Sequence, residues 1–176
     1  MIKRLAMLPL FALALAACNE STPTGPTPTS GPRFVEATST ERDGGLHFVG
    51  VPDLTVETGD GGVYLQSTGE VAGAGKTATA RLSAEVSVLS GCLNRGSKNQ
   101  EPSGLDRSTS QTAGEVTFNT RSGRGTFTVE TEPVSGRSCP DTMDPVVISA
   151  TFTNVVLTVT SSSKTTTAYF EDISWP

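Results

Sequence analysis

The chain has one histidine, His47, one tryptophan and three cysteines among 176 residues. Aromatic residues make up 6% and charged residues 18%. A lone histidine leaves little room for zinc or haem ligation or for a Ser-His-Asp array. Sparse charge argues against a long solvated helix or coiled coil. No window carries a sustained apolar stripe at i, i+3, i+4, so amphipathic helices are not expected. The formal net charge of −5 argues against nucleic acid as a partner, because a phosphate backbone selects basic surfaces. The apolar run from Leu5 to Ala17 is interrupted by Pro9 and falls short of the roughly 20 residues that cross a bilayer as a helix.

What is present begins with an export signal. Lys3 and Arg4 precede the apolar run, which ends Leu15-Ala16-Ala17-Cys18. Small residues before a cut site are the pattern of signal peptidases. A cysteine placed directly after them resembles the lipobox of bacterial lipoproteins. The resemblance implies that the chain is cut before Cys18 and that the Cys18 sulfur carries a diacylglycerol, so a membrane is one partner, reached through that lipid. Two or more acyl chains hold a protein firmly where one does so only marginally. Asn19 stands where an aspartate tends to retain Gram-negative lipoproteins in the inner membrane, which implies the outer membrane in an organism that has one. The alternative is an ordinary cleaved signal with a cysteine at its boundary. Loss of Lys3 and Arg4 takes the net charge from −5 to −7, so the lipid, not surface charge, would do the holding.

Asn19 to Pro32 reads NESTPTGPTPTSGP, with four prolines and no aromatic or large aliphatic residue. Such a segment cannot bury enough apolar surface to offset the entropy of ordering. Proline stiffens it into a spacer that reaches roughly 40 Å at ~3.1 Å per residue. The expected organisation is a signal peptide over 1–17, a lipidated N-terminus and linker over 18–32, and one domain over 33–176.

That domain reads as strands. Between Ala78 and Val88 the even positions are Ala78, Ala80, Leu82, Ala84, Val86 and Val88, and polar residues lie between them. Alternation of this kind marks a half-buried strand. Across Glu115–Thr131, a two-residue turn at Ser122-Gly123 would place Phe118 opposite Phe127 and Val116 opposite Val129, a hairpin register in which both faces agree. Arg121 opposite Arg124 is its one like-charge flaw. Further strands are expected over 46–51, 54–58, 63–67, 146–153, 155–160 and 165–172. The inward parity flips from Ile148, Ala150 and Phe152 to Val155, Leu157 and Val159, which predicts a bulge near Asn154. Short strands with Gly-rich and Ser-rich turns fit an all-β, antiparallel β-sandwich of eight or nine strands, immunoglobulin-like or Greek key, with a squat barrel as the alternative.

With Cys18 lipidated as the resemblance implies, Cys92 and Cys139 remain. In an exported protein two leftover cysteines are most simply one disulfide. It would stabilise by ~4 kcal/mol through loop closure. A nucleophilic cysteine is the rival reading. These residues carry a second resemblance. Cys92-x-Asn94-x-Gly96, with Asn99 and Pro102, and Cys139-Pro140 before the 146–155 strand look like secreted bacterial β proteins of unknown function with a Cys-x-Asn…Cys-Pro framework. It implies the bridge and the β fold, and no activity.

Other motifs fall short of their chemistry. Gly73-Ala74-Gly75-Lys76-Thr77 lacks the first glycine of a phosphate-binding loop, because position 70 is Glu, and a strand follows it instead of a helix. Ser161-x-x-Lys164 has neither companion element of penicillin-interacting enzymes and reads as a hairpin tip. Asp60, Asp141 and Asp144 form no calcium-loop run and suit turns. His47, between Leu46 and Phe48, reads as a solvent-facing strand residue. Trp175 reads as closing the sandwich edge, and Tyr169 is the spare aromatic. No catalytic residue, metal site or cofactor is expected. The functional expectation is a lipid-anchored cell-envelope protein with a non-enzymatic binding or structural role and an envelope or extracellular partner. The alternative is a small secreted hydrolase or carbohydrate-active protein using two loop carboxylates roughly 5–10 Å apart. A third reading is an assembly subunit that pairs through an edge strand.

Overall fold

The computed structural model describes residues 35–42, 45–59, 62–95 and 101–176; the signal, Cys18, the linker, Asp60 and Asn99 lie outside them. Those residues form eleven strand segments. They are β1 (Val35–Arg42), β2 (His47–Phe48), β3 (Asp53–Gly59), β4 (Gly62–Ala72), β5 (Thr77–Asn94), β6 (Ser103–Asn119), β7 (Arg124–Glu130), β8 (Val134–Ser135), β9 (Met143–Ser161), β10 (Lys164–Phe170) and β11 (Ile173–Trp175). The excess over eight or nine comes from the two-residue β2 and β8 and the three-residue β11.

All pairings are antiparallel. In the first sheet β4 is central, with β2 and β3 along one side and β7 and β8 along the other. The second sheet runs β6–β5–β9–β10–β1, and β11 continues the β10 side of β9. β1 joins the two sheets, pairing with β3 through Val35 and Glu36 and with β10 from Ala37 onward. The result is a β-sandwich.

The core is the set of inward positions that alternation requires. All six even apolar residues of β5, Ala78 through Val88, are buried. Leu54, Val63, Leu65, Val71 and Val129 meet them from the first sheet, and Phe152, Leu157 and Val159 flank them on β9. Inward side chains of two facing sheets interdigitate in this way because each sheet has only one face to shed from water.

The parity flip in β9 is a bulge. Thr153 pairs with Glu85 and Val156 with Ser83, so Asn154 and Val155 together oppose Ala84. Asn154 takes φ 52°, and its Nδ2 donates to Glu85 Oε2 at 3.1 Å. Asn tolerates this left-handed conformation and a β-branched residue does not. Asn154→Val is therefore expected to lower stability by about 1–2 kcal/mol, and Asn154→Gly by well under 1 kcal/mol. Urea unfolding of the two variants measures the difference.

The expected hairpin at Glu115–Thr131 is not a hairpin. Arg121 and Arg124 pair across the Ser122-Gly123 turn, with backbone bonds of 2.7 and 3.1 Å, and the strands then part. Phe118 pairs with Ala78 on β5, and Phe127 with Gly69 on β4. The two rings still meet, with centroids 5.6 Å apart, but they do so across the core. Face agreement is satisfied equally by strands lying side by side and by strands facing one another. The need to bury both apolar faces decides for the second arrangement.

At the far end of the molecule β5 and β9 continue past the first sheet, and the segment after β7 folds over them. Arg137 N donates to Ser90 Oγ at 3.0 Å, and Cys92 is bonded to Cys139 with Cα atoms 5.8 Å apart. Cys92 lies within β5, which runs on to Asn94.

Candidate functional site

Connections in an antiparallel sandwich alternate between its two ends. The β4–β5, β6–β7 and β9–β10 connections therefore share one end, here called the tip, and backbone and side-chain bonds tie them together. Ala74 N donates to the Gly123 carbonyl at 3.1 Å, and Thr120 N to the Lys76 carbonyl at 3.0 Å. Gly75 N donates to Ser161 Oγ at 2.8 Å. Thr120 Oγ1 donates to the Gly75 carbonyl, and Lys164 Nζ to the Gly73 carbonyl at 3.3 Å.

The backbone there is special for stated reasons. Ser122 and Gly123 take φ 52° and 76°, the double positive value that a two-residue turn between right-twisted strands needs. Gly73 takes φ 81°, and a Cβ there would strike the Gly45 carbonyl. Gly73–Thr77 is thus a tight turn that leads into β5. Ser161 Oγ accepts from Gly75 N and donates to the Thr77 carbonyl at 2.7 Å. With 2% of its surface exposed, Ser161 is a structural hydroxyl. Ser162, at φ 58°, forms the hairpin tip expected from Ser161-x-x-Lys164.

The two dismissed motifs are therefore neighbours, and they bring their cations together. Lys76, Arg121 and Arg124 are exposed and Lys164 is half-buried. Arg124 Nε binds Glu70 Oε1 at 2.7 Å, an exposed pair worth no more than about 1 kcal/mol. The side chains of Lys76 and Arg121 have no ion pair or hydrogen bond to any other described residue. Ser122, Ser162 and Ser163 are exposed among them. Net charge concealed this cluster, because it averages a basic tip with an acidic body.

The other residues singled out by sequence do not converge. His47 lies in β2 on the face opposite the buried Leu46 and Phe48, partly exposed as expected, and its Nδ1 donates to the Gly45 carbonyl at 3.0 Å. Asp144 pairs with Arg95 at 2.8 Å on the surface, while Asp141 is exposed in the turn that Met143 N closes onto the Pro140 carbonyl. Among the described residues no three of His, Cys, Asp and Glu gather to hold a metal. Trp175 pairs with Ala150 and, with Val63, Val146 and Val147, walls an open apolar cleft of about 400 Å³ at the end opposite the tip. A cleft of about 420 Å³ on the outer face of the second sheet includes Glu115, and one of about 370 Å³ includes Glu85. None of the three holds two carboxylates.

The bare edge of the second sheet is β6, whose residues from Ser103 to Gln111 are all exposed. Asp106 and Arg107 sit in the middle of this run. Gly104, at φ 63°, accompanies a register shift near its start. Charges and bulges of this kind block edge-to-edge pairing, which counts against the edge-strand reading.

No family model, no curated protein and no solved structure matches the chain.

Proposed function

We propose that the chain is a lipid-anchored protein of the cell envelope whose sandwich binds or supports an envelope partner without catalysis. The observation that carries the reading is the Cys92–Cys139 disulfide. Such bridges persist in oxidising compartments outside the cytosol, which supports export and fits the Leu15-Ala16-Ala17-Cys18 lipobox. A covalent acyl anchor also accounts for a Pro/Thr spacer between Cys18 and the first strand at Val35.

Labelling of a bacterial culture with an alkyne-bearing fatty acid tests it. The full chain should incorporate the label, and Cys18→Ser should lose it entirely. An unlabelled wild-type chain, or label retained in Cys18→Ser, contradicts the proposal.

A further inference from the structure

We infer that the tip is a docking surface for an acidic polysaccharide, one that carries carboxylate or phosphate groups along a hydroxyl-rich chain. The inference rests on the envelope reading for where the tip points, and on geometry for what it binds. Lys76, Arg121, Arg124 and Lys164 stand on three turns that are hydrogen-bonded to one another, and among the described residues Glu70 pairs with one of them, Arg124. Two of these cations have no partner among the described residues.

The acidic remainder of the molecule does not cancel this attraction. At physiological salt the Debye length is about 8 Å, so a bound anion feels the tip and little of the body. The same acidic flanks would repel a long rigid polyanion lying along the sandwich, which disfavours duplex nucleic acid. Guanidinium groups take carboxylates and phosphates bidentately, and the exposed serines of the tip can bond sugar hydroxyls. The tip turns carry no large apolar or aromatic residue to enter a bilayer interface, which such binding generally requires.

Direction agrees. β1 runs towards the tip from Val35, which pairs with Leu54 in the body of the first sheet. The first described residue therefore lies away from the tip, and a tether through the N-terminus does not require the tip to face its own membrane.

The test uses the full-length protein in neutral detergent, with polygalacturonate immobilised on resin and dextran resin as the uncharged control. The protein should bind polygalacturonate and not dextran, and raising the salt should release it. Lys76→Glu with Arg121→Glu should weaken binding tenfold or more, with the thermal unfolding midpoint unchanged. Arg107→Glu, the same charge reversal on β6 far from the tip, should change it less than threefold. Free polygalacturonate should compete, and duplex DNA or phosphatidylglycerol-doped micelles should compete poorly. Wild-type binding by the double variant, equal loss in Arg107→Glu, or stronger competition by DNA or lipid overturns the inference. Acyl labelling at Cys18 is read separately, so a labelled protein that ignores polygalacturonate sinks the inference and leaves the anchor standing.

Discussion

Replacing Cys92 and Cys139 together by alanine is expected to lower stability by ~4 kcal/mol and the melting temperature by roughly 10 °C. The loop-closure argument supplies the magnitude, since the bridged residues are 47 apart in sequence. The structure supplies the place where the loss will be felt. At Ser90–Cys92, β5 is met by Gly136-Arg137-Ser138, the residues that follow β8. Gly136-Arg137-Ser138 holds no aliphatic or aromatic residue, so burial alone gives it little reason to stay. The bridge substitutes for a hydrophobic contact the sequence does not offer. Amide exchange in Ser90–Asn94 should therefore quicken far more than in Ala78–Leu82, where both sheets are in contact. An unchanged melting temperature in the double variant, or equal quickening along all of β5, would contradict this assignment.

Gly114→Val is expected to destabilise by about 3 kcal/mol or more, or to prevent folding. A Cβ at position 114 would land on the Glu130 carbonyl. The obstacle is backbone, and the backbone cannot move away, because Glu132 N donates to the Ala113 carbonyl at 3.1 Å and Thr112 Oγ1 donates to the Glu132 carbonyl at 2.8 Å. Here the exit from β7 crosses β6, and glycine is what lets two chains of different sheets approach so closely. Gly75→Ala makes the comparison. Its new Cβ would lie 3.3 Å from Ser162 Oγ and 3.4 Å from Ser161 Oγ, so it meets side chains and not backbone, and the loss should stay near 1 kcal/mol. Denaturant unfolding ranks the two, and a Gly114→Val protein as stable as Gly75→Ala would show that the crossing is looser than described.

Parts of this structure are legible in the residues alone. The alternation in Ala78–Val88 places β5 and its inward face, and the flipped parity around Asn154 places the bulge. The cysteine count, once Cys18 is set aside, leaves one pairing, and that pairing is present. β6 is not legible over Ser103–Gln111, because Ser-Gly-Leu-Asp-Arg-Ser-Thr-Ser-Gln has no apolar alternation. It is a strand because β5 extends beside it and backbone pairing requires no particular side chain. The tip is not legible for a different reason. Lys76, Arg121 and Lys164 lie on separate turns, each unremarkable by itself, and only the alternation of connections between the two ends unites them. A reader who paired alternate turns would have found the cluster.

The most direct measurement of the central claim is the intact mass of the full-length protein purified from membranes of a bacterial host. The account predicts a chain that begins at Cys18, heavier than its sequence by at least a diacylglyceryl group and lighter by two hydrogen atoms until the Cys92–Cys139 bridge is reduced. A chain that still begins at Met1, or one cut elsewhere and carrying no lipid, would contradict it.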